Sequence, residues 1–248
     1  MDGSLLPWLF AGLVFLLAGL IKGMIGMGLP TFAMGLLSLA FAPVEAAALL
    51  VVPSLITNVW QLMAGPDWRA LVRRLWSMMA GVVVGTLLAT DVLASDTGGV
   101  GRLALGVALL TYAATGLSGA RFTLAAGREA WASPLVGVAT GLVTGVTGVF
   151  VLPAVPYLQA IGLDKDDLVQ ALGLSFTVST LALAGGLLQG GGFSGASAAM
   201  SLACLAPALA GMALGQVVRR QITPTTFRRL FFAGLFLLGA YLVGRQIA

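Results

Sequence analysis

The chain has 248 residues, 59% hydrophobic and 9% charged, with a mean hydropathy of +1.02 and a formal net charge of +4. A soluble domain carries roughly 25% charged residues, so these charges are too few for a water-facing surface and the composition predicts an all-α integral membrane protein. A single cysteine, Cys204, and no histidine exclude an intrachain disulfide, a paired-thiol relay, a histidine-based triad and the usual zinc sites.

Apolar stretches of about 17–21 residues follow one another along the chain, each able to cross a hydrocarbon core about 30 Å thick as a helix. Ten hydrophobic helical segments are predicted, over residues 5–21, 24–41, 44–64, 76–95, 103–120, 132–147, 149–163, 167–188, 195–215 and 228–247. The first follows the acidic Asp2 with no basic leader and no A-x-A site, and is therefore expected to be a membrane segment and not a cleaved signal peptide. Polar loops such as "GPDWRALVRR", "LDKDD" and "VVRRQITPTTFRR" separate most segments. The first and second, and the sixth and seventh, are joined only by glycine-rich stretches, which read either as two full spans or as a re-entrant hairpin. Asp91, late in the fourth segment, is expected to be an interfacial carboxylate.

The chain matches itself at an offset of 122 residues: Gly19, Gly23 and Gly26 fall on Gly141, Gly145 and Gly148, and Glu45 falls on Asp167. Both acidic residues open a long apolar helix, where a carboxylate in the first turn favours the helix dipole. This predicts a first repeat over residues 1–122 and a second over 123–248, each of five segments. Five is odd, so the second repeat enters the membrane from the opposite side and the two are inverted. With both termini on the non-cytoplasmic side of the inner (plasma) membrane, Arg69, Arg73, Arg74, Arg121, Arg128, Lys165, Arg219, Arg220, Arg228 and Arg229 are cytoplasmic. Only Arg102 and Arg245 lie outside, as the positive-inside rule requires.

Inverted-repeat membrane proteins hold substrate near the midplane, where broken helices from the two halves aim their N-termini at anionic groups. "GMIGMGLP" and "GVTGVFVLP" have the composition for such breaks: glycine permits positive φ and close approach, and Pro30 or Pro153 suits the first turn of a new helix. Amides after Gly26 and Gly148, with Gly28 between the first break and its proline, are the predicted anion cradle. Thr31, Thr144 and Thr147 add hydroxyl donors. Spacings of three and four put Ser54, Thr57, Asn58 and Gln61 on one helical face, and likewise Ser175 and Ser179. The competing reading of these hydroxyls is interhelical hydrogen bonding, worth about 0.6–2 kcal/mol per contact. Lys22 sits among the first glycines. It either snorkels to headgroups from a cytoplasmic turn or lies deep in a hairpin, where it attracts an anion.

The pair "GLIKGMIGMGLPTFAMGLLSLAFAPVEAAALLVVPSLITNVWQL" and "GLVTGVTGVFVLPAVPYLQAIGLDKDDLVQALGLSFTVSTLALAGG" resembles the sulfite exporter TauE/SafE family, also called the toluene sulfonate uptake permease family. The resemblance covers both halves and most of the chain. This sequence departs from the glycine-richest family pattern in reading "GMGLP" for three consecutive glycines, and in placing Phe150 where a small residue is common. The resemblance implies a secondary transporter for small sulfur-containing anions such as sulfite or sulfonates, with no bound cofactor. Alternating access is expected from the two repeats rocking around the site, with coupling to protons, and no metal site is expected. An anion channel and a carrier of non-sulfur organic acids are the alternatives. The expected partners are a small anionic substrate and membrane lipid, with no nucleic acid; whether the chain forms a homo-oligomer is left open. No recognisable catalytic set is present, so an enzyme is not expected.

Overall fold

The computed structural model describes residues 5–95, 99–119, 123–219 and 224–247. Among these the secondary structure is helical throughout: α1 Leu5–Ile25, α2 Leu29–Leu37, α3 Pro43–Met63, α4 Trp68–Ala94, α5 Val100–Ser118, α6 Glu129–Thr147, α7 Ala154–Ala160, α8 Lys165–Gln189, α9 Gly195–Val218 and α10 Pro224–Ile247, with a 3-10 turn at Ala126–Arg128. Arg121 and Arg220, which the charge argument assigns to the cytoplasmic side, fall outside the described residues.

Eight of the ten helices are long and apolar enough to cross a membrane. The other two, α2 with 9 residues and α7 with 7, rise only about 14 and 11 Å at about 1.5 Å per residue. The ten predicted segments thus comprise eight candidate spans and two helices, the second member of each glycine-joined pair, that are too short to cross as helix alone.

Local chemistry explains the boundaries. Helix α1 runs four residues beyond the predicted end, so Lys22 belongs to its last turn and not to a loop. Gly26 (φ 77°) and Gly28 (φ 100°) then turn the chain through left-handed conformations, and Pro30 opens α2. Gly148, at φ 70°, ends α6 in the same way. Helix α4 starts eight residues earlier than hydropathy suggested, because the Asp67 carboxylate accepts from the Arg69 and Ala70 amides at 3.1 and 3.0 Å. Arg69, Arg73 and Arg74 therefore ride on the first turns of a helix. Glu45 Oε2 accepts from the Ala42 amide at 3.1 Å at the start of α3, and Asp166 and Asp167 occupy the first turn of α8.

The principal helix pairs are α1 with α9, α4 with α6, α5 with α10, and α3 with α8, followed by α4 with α8 and α3 with α9. Exchanging α1–α5 for α6–α10 maps this set onto itself. Backbones touch where glycines leave room. A Cβ on Gly85 of α4 would lie 2.3 Å from the Val138 carbonyl oxygen and 2.9 Å from the Leu142 nitrogen of α6. One on Gly211 of α9 would lie 1.9 Å from the Leu16 carbonyl oxygen and 2.9 Å from the Leu20 nitrogen of α1, the residues 122 positions earlier. The interior is filled by side chains such as Phe15, Phe150, Phe176 and Met34, while Leu13, Trp76, Leu88, Leu181 and Leu237 face outward, as lipid contact demands.

Candidate anion-binding site

The site begins with the close approach of α1 to α9. Cβ atoms on Gly19 and Gly23 would fall 2.1 and 2.2 Å from the Ala208 and Met212 carbonyl oxygens, so only glycine allows this crossing. Helix α3 is tied to α9 by a second device. Pro53, inside α3, has no N–H to give the Leu49 carbonyl. Ser201 of α9 fills the gap: its hydroxyl donates to Leu49 O at 2.8 Å and accepts from the Val52 amide at 2.9 Å.

With α1 and α3 both held against α9, Lys22 is enclosed, with 4% of its surface exposed. The lysine therefore does not snorkel along the protein surface. Its ammonium donates to Thr57 Oγ1 at 3.1 Å and to Asn58 Oδ1, while the Thr57 hydroxyl donates to the Pro53 carbonyl at 2.7 Å. An ammonium has three donors, so one is left over. Asn58 is fully buried, and its Nδ2 has no partner; the same is true of the Ser54 hydroxyl and of Gln61 Oε1. Gln61 Nε2 donates to the Val169 carbonyl of α8 at 2.9 Å. Among the described residues the salt bridge joins Arg74 to Glu129 at 2.8 Å, and no carboxylate is paired with Lys22.

Lys22 faces a cavity of about 740 Å³, lined also by Gly26, Thr57, Trp60 and Gln61, and at the helix ends by Lys165, Asp166, Gln216 and Arg219. Three cations thus face one carboxylate.

Of the predicted contacts, Lys22, Gly26 and Gln61 line the cavity, and Asn58, fully buried behind it, holds Lys22. Gly28 caps α2 against the Phe231 ring and does not line the cavity. Thr31, Ser175 and Ser179 are fully buried with hydroxyls that have no partner, away from the cavity wall. Thr144 and Thr147 turn back on their own helix, donating to Thr140 O at 2.7 Å and Val143 O at 2.6 Å; Thr147 also accepts from the Val149 amide at 3.1 Å. Gly148 packs against the Met34 thioether.

Sequence reasoning passed over Gln170. Fully buried, it donates to Leu62 O at 2.7 Å and accepts from the Asp67 amide at 3.1 Å, clamping the α3–α4 turn onto α8. An amide in the apolar run "DLVQALG" was the available signal. Gln216 escapes sequence reasoning too, and Arg219 enters it only as a topology charge, because nothing in a linear pattern brings the end of α9 beside α1.

The family model described as sulfite exporter TauE/SafE matches residues 11–242, which include both glycine stretches, Lys22 and the whole cavity wall. The chain belongs to the TauE/SafE sulfite exporter family. No curated protein and no solved structure matches it. TauE/SafE is a family of membrane transporters of the sulfite-exporter type, which agrees with eight helices able to span a bilayer. In this TauE/SafE chain the buried Lys22 lines a cavity whose other charged residues, Lys165, Asp166 and Arg219, are exposed at helix ends.

Proposed function

We propose that the chain is a secondary transporter that moves small sulfur-containing anions, such as sulfite or sulfonates, across the plasma membrane by alternating access and with proton coupling. The observation that carries this reading is Lys22, a buried ammonium held by two neutral oxygens with no carboxylate partner. Removing a charge from water costs several kcal/mol unless an opposite charge meets it. An oxyanion supplies that charge and takes the free Lys22 and Asn58 donors in charge-assisted hydrogen bonds.

The two five-helix halves, divided near residue 122, act as inverted repeats. Support comes from helix pairs that survive exchange of the halves and from the rule that such repeats rock about a central site. The cavity opens among Lys165 and Arg219, residues of the proposed cytoplasmic side, so this conformation is inward-facing, with both termini outside. Thr31, Ser175 and Ser179, buried with hydroxyls that have no partner, are the proposed contacts in the opposite conformation; Thr144, Thr147, Gly28 and Gly148 frame the two helix breaks.

The test is counterflow of radiolabelled sulfite in proteoliposomes. Saturable counterflow by the unaltered protein and its loss in Lys22→Gln are expected. Absence of sulfite counterflow in the unaltered protein would overturn the reading.

A further inference from the structure

A carrier that has released its anion must reset, and how it does so rests on the transport reading above. We infer that Lys22 Nζ carries the co-transported proton itself, so that one anion and one proton move together in each turnover.

The buried polar residues are otherwise neutral. Among the described residues Lys22 is the one lysine, arginine or carboxylate in the interior; its buried companions are Thr, Ser, Asn and Gln. Asp91 is exposed, which removes it as an interior proton carrier. The elements around Lys22 present few other charges. Helix α3 meets it with Thr57 and Asn58, which accept from the ammonium, and with Gln61 on the cavity wall, and α9 brings Met212, Gln216 and, at its exposed end, Arg219. Helix α8 brings Lys165 and Asp166, both exposed at the helix end. No buried carboxylate stands by to take a proton or to neutralise the ammonium.

The loaded site is then a neutral pair, ammonium with monoanion. When the anion leaves, the cation keeps only the Thr57 and Asn58 oxygens. The empty carrier can return in two ways. It can bring another anion back, which is exchange. Alternatively, the ammonium gives its proton to cavity water (Lys–NH3+ becoming Lys–NH2 plus H+), and the amine returns uncharged. On the far side it takes up a proton and an anion again. Anion and proton therefore travel in the same direction, one of each. Lys165, Asp166 and Arg219 are exposed at the helix ends, so at Lys22 itself a dianion would leave one negative charge uncompensated beside the neutral Thr57, Asn58 and Gln61. The site therefore favours monoanions, hydrogensulfite or an organic sulfonate, over sulfate.

The experiment compares net uptake of radiolabelled sulfite with counterflow, in the full chain in proteoliposomes, for the unaltered protein and for Lys22→Arg. A guanidinium does not deprotonate in proteins, so exchange remains open to it and net transport does not. Whatever the absolute rates, the ratio of net uptake to counterflow is expected to fall at least about tenfold in the variant. A ratio equal to that of the unaltered protein would overturn the inference while leaving the transport reading intact, whereas absence of sulfite counterflow in the unaltered protein would remove both.

Because arginine is larger than lysine at a crowded crossing, a second measurement uses the native side chain. Lys22 and Lys165 are the two lysines of the chain, so acetylation by acetic anhydride can be read at each by peptide mass spectrometry. The ratio of Lys22 to Lys165 cancels reagent lost to sulfite. Lys22 acetylation that rises with pH and is slowed at least about tenfold by sulfite is expected. Reaction of Lys22 unaffected by sulfite, or none even at alkaline pH, would overturn the inference.

Discussion

The sharpest prediction concerns the paired glycine crossings. In Gly211→Ala the new methyl would lie 1.9 Å from the Leu16 carbonyl oxygen, and in Gly85→Ala 2.3 Å from that of Val138. These oxygens belong to helix backbones and cannot swing aside as a side chain does. With an optimal separation of about 3.5 Å, the pairs α1–α9 and α4–α6 must part by roughly 1.6 and 1.2 Å respectively. Overpacking of this kind costs about 1–3 kcal/mol, partly offset by about 0.8–1 kcal/mol of helix propensity gained on replacing glycine. Gly12→Ala isolates the propensity term, since a Cβ there meets nothing within 4 Å. Thermal melting of detergent-purified protein, followed by tryptophan fluorescence, is the assay. At about 2–4 °C per kcal/mol for a chain of this size, both crossing variants should melt several degrees below Gly12→Ala. If Gly211→Ala melted with Gly12→Ala, the helices would not be in backbone contact; if Gly85→Ala alone were silent, the two crossings would not be equivalent.

Asn58→Asp supplies Lys22 with an internal counter-ion, so sulfite affinity measured by calorimetry should fall at least about tenfold without a fall in melting temperature, and unchanged affinity would separate the anion from Lys22. Glu129→Gln removes the pair in which Arg74 donates at 2.8 and 2.9 Å. Because the Arg74 side chain is 39% exposed, the loss should be about 0.5–1 kcal/mol and should shrink in high salt; a larger, salt-insensitive loss would contradict a screened surface pair. In a Cys204→Ala background, an impermeant maleimide should label Arg245→Cys in intact cells and Arg69→Cys only after permeabilisation, and the reverse pattern would invert the proposed topology.

The number and rough placement of the ten helices were legible because hydropathy and glycine punctuation are local signals. What hydropathy missed were ends that a cap extends. The three arginines of "WRALVRR" look like a loop, yet Asp67 makes them helical. The glycine breaks were legible, but the shortness of α2 and α7 was not, since a buried loop such as residues 149–153 is as apolar as a helix. Lys22 stood out as a lone cation, and Asn58 and Gln61 as amides on one face. Their meeting was not visible, because it depends on Gly19 and Gly23 bringing α1 onto α9 and on Ser201 repairing the gap left by Pro53. Thr144 and Thr147 misled for the opposite reason: a helical hydroxyl finds its own carbonyl one turn back.

The interleaving of the two halves also bears on biogenesis. Helix α1 packs chiefly against α9, so its glycine face stays without its main neighbour until the chain beyond residue 195 has been synthesised. Until then lipid or the insertion machinery must cover that face. Commitment to the native arrangement therefore comes late in translation, and a ribosome stalled before α9 would release a chain whose first helix has inserted but not yet docked.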